Sequence, residues 1–192
     1  MEKNLTKRQL QAIETKNKIQ FCAKKLIREN GYENVSVRDI CAASGVATGT
    51  FYLYFPSKSD LFVSSYEGNQ NEVANNINFE LESKDTLTKI KVFFLNYIKY
   101  NEDFGVDGLK IVFSDWNKYR SGKLGEILKH IILDGQKKGE LSTEISADEM
   151  YIYLISAARG LLHEWCISNG GFNLQERAYK YITLLISSLP IK

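Results

Sequence analysis

Between Ser36 and Pro56 the chain has room for two helices, and neither can stand by itself. Ser36, followed three residues later by Asp39, sets up an N-terminal cap: the serine oxygen accepts amide protons while the carboxylate faces the positive helix end. Val37, Ile40, Cys41 and Ala43 supply apolar contacts as far as Ser44, and Gly45 ends the helix. After Val46 a second helix runs from about Ala47 to Tyr54. Pro56 closes it, because the residue before a proline is pushed out of helical geometry. Each helix is about two turns long, too short to be stable alone in water, so both must be held by packing. A longer partner lies just upstream. From Thr15 onward, Ile19, Cys22, Ala23, Leu26 and Ile27 recur at helical spacing, and Gly31 can supply the left-handed turn that stops this helix after Asn30.

Two short helices joined by a tight turn containing glycine have the form of a helix-turn-helix. In such a unit the first helix braces the second, whose polar edge can enter a DNA major groove. The charge distribution agrees with a polyanionic partner. Residues 1–66 carry ten Lys/Arg against six Asp/Glu, a balance of +4, whereas residues 67–192 balance at −2. Other classes are disfavoured. Runs such as Phe93-Phe94-Leu95 are far too short to span a bilayer, so no membrane partner is expected, and no apolar stretch follows the charged N-terminus as in a secretory signal. Cys22, Cys41 and Cys166 are odd in number and widely spaced, which fits a reducing cytoplasm better than a disulfide scaffold. We find no glycine-rich phosphate loop, no His-x-x-x-His, no Gly-x-Ser-x-Gly and no metal cluster. No catalytic residue, metal or cofactor is therefore assigned, and the chain is not expected to be an enzyme.

The rest of the chain also reads as helix, giving an all-α fold. Ser57 and Asp60 repeat the capping spacing before Leu61, Phe62 and Tyr66. Asp85 or Thr86 opens a helix carrying Leu87, Ile90, Phe93, Phe94, Tyr97 and Ile98. A weakly helical stretch from Leu109 to Trp116 precedes a break over Asn117–Gly122, and a further helix ends near Gly139. Ser146 with Glu149 introduces Tyr151 through Trp165, and Asn173 with Glu176 opens a last helix that Pro190 terminates.

The run Gly49-Thr50-Phe51-Tyr52-Leu53-Tyr54-Phe55-Pro56-Ser57-Lys58, with Val37-Arg38-Asp39-Ile40 and Gly45-Val46 at their offsets before it, resembles the DNA-binding domain of the TetR/AcrR family of bacterial transcriptional regulators. The likeness covers residues 12–62. It implies a three-helix DNA-binding domain at 1–62 and a larger helical ligand-binding and dimerisation domain at 63–192. It also implies a homodimer on palindromic, double-stranded operator DNA, released by a small-molecule effector that the sequence does not identify. Carried over residue by residue, the resemblance places Ser36 at a phosphate, Arg38 at a base edge or phosphate, and Thr48, Gly49 and Thr50 at bases and backbone. Tyr52 would meet backbone or a thymine methyl, Tyr54 is a further DNA-contact candidate at a position the family often fills with histidine or tyrosine, and Lys58 would lie near a phosphate. Val37, Ile40, Phe51, Phe55 and Leu61 read as core. Where the family often has serine, this chain has Ala47, which cannot cap; Thr48 would then cap one residue later and turn its side chain from the bases.

For the dimer, Ala157, Ala158 and Gly160 permit close helix approach beside Leu154, Leu161 and Trp165, and Ile182, Ile186 and Leu189 complete a four-helix surface. The pattern equally allows these residues to be core within one chain. For the effector, Phe93, Tyr97, Phe113 and Trp116 are candidate apolar walls, with Arg159 and His163 as polar partners. Close packing of the same aromatics is the alternative. The function that follows is a ligand-responsive transcriptional regulator, a repressor first. An activator or dual regulator of the same fold, or a protein-interaction module without DNA binding, are the alternatives.

Overall fold

A computed structural model of the chain describes residues 6–80, 84–114 and 123–189, and among these every regular element is a helix. The helices are α1 (Lys7–Asn30), α2 (Val37–Ser44), α3 (Thr48–Tyr54), α4 (Lys58–Glu80), α5 (Thr86–Phe104), α6 (Val106–Ser114), α7 (Lys123–Lys137), α8 (Ala147–Ile167) and α9 (Leu174–Ser187). They fall into two compact units, Met1–Ser65 and Tyr66–Lys192.

In the first unit, Ile19, Ala23 and Ile27 of α1 meet Ile40 and Cys41 of α2, Phe51 of α3, and Phe55, Leu61 and Phe62, all buried. α1 begins two turns earlier than its apolar stripe suggests. Thr6 and Gln9 form a reciprocal capping box at that end, and capping starts a helix without needing a buried face. The Ser36–Asp39 box at α2 closes as its spacing predicts. Gly45 lies in the left-handed region at φ 64°, where its N–H reaches Ala42 O and that of Val46 reaches Cys41 O. Having no Cβ, Gly45 takes this left-handed conformation without strain, which allows the turn to be tight. Buried Ser44 spends its hydroxyl on Ile40 O at 2.6 Å. At α4, Ser57 Oγ donates to Asp60 Oδ2 and accepts from the Asp60 N–H, the cap its spacing predicts.

In the second unit, α5 packs against α9 and α7, and α8 packs against α7, α6 and α9. The start of α5 is tied from two sides. Asp85 caps Thr88, while Glu140, beyond α7, accepts the Thr86 N–H at 2.9 Å. Gly135 of α7 lies against Thr86, where any Cβ would collide with Thr86 Cγ2. α6 begins at Val106, three residues before the expected Leu109, because Gly105 at φ 88° lets the chain turn sharply out of α5. The expected break after Trp116 lies outside the described residues. No helix among the described residues is long and apolar enough to cross a membrane.

Candidate nucleic-acid interface

α3 is anchored from beneath by Phe51 and Phe55, which are fully buried with ring centroids 5.6 Å apart. Its remaining residues therefore face outward or sideways. Thr48 and Gly49 are exposed, Tyr52 is 52% exposed with its ring edge-on to Phe51, Tyr54 is half-buried, and Thr50 is half-buried. Ala47 is the N-cap and makes no side-chain bond, so the expected transfer of the cap to Thr48 does not occur. Thr48 is already helical, and its hydroxyl is not spent on a cap. On α2, Arg38 is exposed and forms no hydrogen bond or ion pair among the described residues. Its guanidinium is thus available to an outside anion.

Two expectations change. Ser36 Oγ donates to Asp39 Oδ2 at 2.6 Å and accepts the Asp39 N–H, so its proton belongs to the capping box and not to a phosphate. These bonds hold the Asp39 carboxyl below its ordinary range. Lys58 also turns inward. Its Nζ donates to Tyr32 O at 2.7 Å and Val35 O at 2.8 Å and lies 3.8 Å from the Tyr32 ring centroid, clamping the α1–α2 link. A lysine at the first position of a helix opposes the helix dipole, and two carbonyls with an aromatic face offset that cost. Of the basic residues near the N-terminus, Lys7 and Arg8 are exposed on the first turn of α1, while Lys16 lies over the Phe55 ring.

In the second unit, Phe93 and Tyr97 are buried and stacked, with centroids 6.2 Å apart. Burial pushes the Tyr97 hydroxyl above its ordinary range, against the opposing pull of Arg159, which hydrogen-bonds it. Around them Tyr66 donates to Asn101 Oδ1, Asn101 Nδ2 donates to Tyr97 O, and Tyr100 donates to Tyr66 O. This is a connected polar interior, since buried polar groups must find partners. Phe113 and His163 lie elsewhere. Together with Lys110, Ser114, Cys166 and Ile167 they line an open groove of about 270 Å³. Cys166 is buried there, and its thiol is pushed up to about 11. Trp116 lies outside the described residues. The five described candidates thus divide between a packed interior and a surface groove.

The expected dimer residues are placed differently. Leu154, Ala158, Leu161, Trp165, Ile182 and Leu189 are all buried within the unit and Ile186 is half-buried, so they are core of one chain. The outward faces of α8 and α9 instead carry Ile152 (58% exposed), Ile167 (62%), Tyr181 and Leu184 (69%). On α8 this stripe passes through Ser156 and Gly160, and open space lies above Gly160. Sequence periodicity found the stronger apolar stripe of each helix and missed the weaker one behind it. Apolar residues on what should be the polar face were the available signal.

Comparison with known proteins agrees with this architecture. Residues 22–64 match the family of bacterial regulatory proteins, tetR family. The chain is 25% identical, over an alignment 197 positions long, to the HTH-type transcriptional repressor BepR of Brucella suis, covering 93% of each. It is 24% identical to the fatty acid metabolism regulator protein of Bacillus subtilis, covering 88% of this chain and 93% of that one. The fold is that of Thermus thermophilus FadR, a TetR-family transcriptional repressor solved with lauroyl-CoA. That comparison has a TM-score of 0.72 and 18% identity, over 92% of this chain and 96% of the other. The helix-turn-helix on its three-helix core thus matches the tetR family of bacterial regulatory proteins over residues 22–64, and the chain as a whole is similar to the transcriptional regulators named above.

Proposed function

We propose that the chain is a ligand-responsive repressor that binds palindromic operator DNA as a homodimer, with α3 in the major groove, and lets go when a small molecule occupies its second unit. The outward face of α3 carries this reading: Thr48, Gly49 and Tyr52 stand exposed on a helix whose opposite side is fixed by Phe51 and Phe55. Arg38 supplies a charge for phosphate or a guanine edge. Two copies are needed because one head offers a small contact, and paired heads must reach grooves about 34–36 Å apart. The stripe of Ile152, Ile167, Tyr181 and Leu184 is the surface we assign to the dimer. Large apolar side chains exposed this far mark an association site.

The first effectors to try are long-chain acyl-CoAs. Of the relatives above, one is named for fatty acid metabolism and another holds lauroyl-CoA. The Phe93–Tyr97 interior with Arg159 and the groove at Phe113 and His163 are the two candidate regions for its apolar and polar parts. Release by 100-fold requires about 2.7 kcal/mol of coupling between the two sites. The test is retention of random-sequence duplexes by the purified protein at several salt concentrations, repeated with lauroyl-CoA. Salt-sensitive selection of a palindrome, lost on Arg38→Ala, supports the reading. A folded protein that selects no sequence overturns it.

A further inference from the structure

We infer that Leu53 reads a thymine methyl group in the major groove and so imposes a thymine in each half of the operator, an inference that rests on the DNA-binding role proposed for α3. At 84% exposure Leu53 is the most exposed large hydrophobic side chain among the described residues, and it sits on the helix assigned to reading DNA. With about 100° between successive residues, it stands about 200° around α3 from Phe51 and about 160° from Phe55. It therefore points away from both anchors, where the helix would project deepest into a groove.

Gly49 lies one turn earlier on the same face, with nothing within 4 Å of where its Cβ would be. Helical side chains lean toward the N-terminus, so the Leu53 isobutyl group overhangs this bare stretch of backbone. The centre of the reading face is thus an apolar knob beside a notch, flanked by Thr50 and Tyr52. The helix, Thr-Gly-Thr-Phe-Tyr-Leu-Tyr, holds no Asn, Gln, Arg or Lys to make a paired bond to adenine or guanine.

The chemistry of the groove then fixes the partner. The thymine methyl is the one apolar group that projects from base pairs into the major groove; apart from the flat C–H edges of cytosine and the purines, every other base-edge group there is a hydrogen-bond donor or acceptor. A leucine against those polar edges would strip their water and return no hydrogen bond. Against the methyl it buries apolar surface on both sides. By the usual gain for one buried carbon, the contact amounts to about fourfold in affinity per half-site, or about fifteenfold for two.

The experiment uses the palindromic duplexes selected by the full wild-type chain, resynthesised with deoxyuridine in place of thymidine, which removes only the methyl. Wild type, Leu53→Ala and Leu53→Met are compared on both DNAs. We expect wild type and Leu53→Met to weaken on uracil DNA by about fifteenfold more than Leu53→Ala does, with all three melting alike because the side chain is exposed. An equal uracil penalty for wild type and Leu53→Ala overturns the inference while leaving the regulator reading intact. Failure of wild type to select any duplex overturns both.

Discussion

Replacing Lys58 with methionine separates two roles that the residue could have, and the structure sets the size of the effect. Methionine keeps most of the apolar stem but deletes the ammonium that donates to Tyr32 O and Val35 O and lies over the Tyr32 ring. A hydrogen bond to a charged group contributes roughly 1.5–3 kcal/mol in mutational series. Lys58 is only half-buried, so we take about 1 kcal/mol for each bond after screening by water. The ring contact adds about 0.5–1 kcal/mol. The sum, about 2–3 kcal/mol, acts locally: it holds the α1–α2 link that sets where α2 and α3 sit. The first unit holds no tryptophan to report this opening. Amide hydrogen exchange followed on peptides from 31–57 sees it directly. Lys58→Met should speed exchange there by about 30- to 150-fold and leave α8 and α9 unchanged. If Lys58 were instead a phosphate ligand, exchange would stay as in wild type. DNA affinity would then fall uniformly across sequences, with a salt slope about one unit smaller per head. That result would refute the clamp.

Four further outcomes follow from named contacts. Ala47→Ser gives α3 the cap it lacks and should raise the stability of the first unit by about 1 kcal/mol in denaturant unfolding, with the helix start unmoved. Asp39 has a carboxyl pKa depressed by Ser36, so its contribution is present above the unfolded value, near pH 4, and is lost as pH falls through the lower folded value. Melting scans from pH 7 to pH 3 should therefore drop less steeply for Asp39→Asn than for wild type. Gly135→Ala forces a methyl against Thr86 and should cost roughly 1–3 kcal/mol by overpacking, measured by urea unfolding of the second unit; Thr86→Ser, which removes the obstructing Cγ2, should recover part of it. Leu184→Asp with Ile152→Asp should halve the mass in light scattering without loss of helicity, whereas Leu154→Asp should unfold the chain because that side chain is core.

Most helix ends were legible where a local rule decides them, although the Thr6–Gln9 box that starts α1 and the Gly105 turn before α6 are equally local and were missed. The boxes at Ser36–Asp39 and Ser146–Glu149, the caps at Asp85 and Asn173, and the stop at Gly45 each involve residues within about one turn, so the linear order contains the whole interaction. The face of α3 was readable for the same reason, since Phe51 and Phe55 leave the residues between them only outward or sideways directions. Lys58 was not readable in this way. Its partners, Tyr32 and Val35, lie more than twenty positions away, and a lysine after a Pro-Ser turn looks solvated until the α1–α2 link is folded beside it.

The same limit applied to the second unit. Leu154, Leu161 and Ile182 were recognisable as apolar stripes, but α8 is apolar around much of its circumference, and periodicity gives the direction of a stripe and not what covers it. Short-range order therefore wrote the helices, their ends and the reading helix into the chain. Packing alone decided that Leu154 and Ile182 face inward while Ile152 and Leu184 face out, that Tyr97 meets Arg159, and that Phe113 shares a groove with His163. Such choices depend on close approach between residues far apart in sequence, where burial and charge are properties of the assembled interior rather than of any segment.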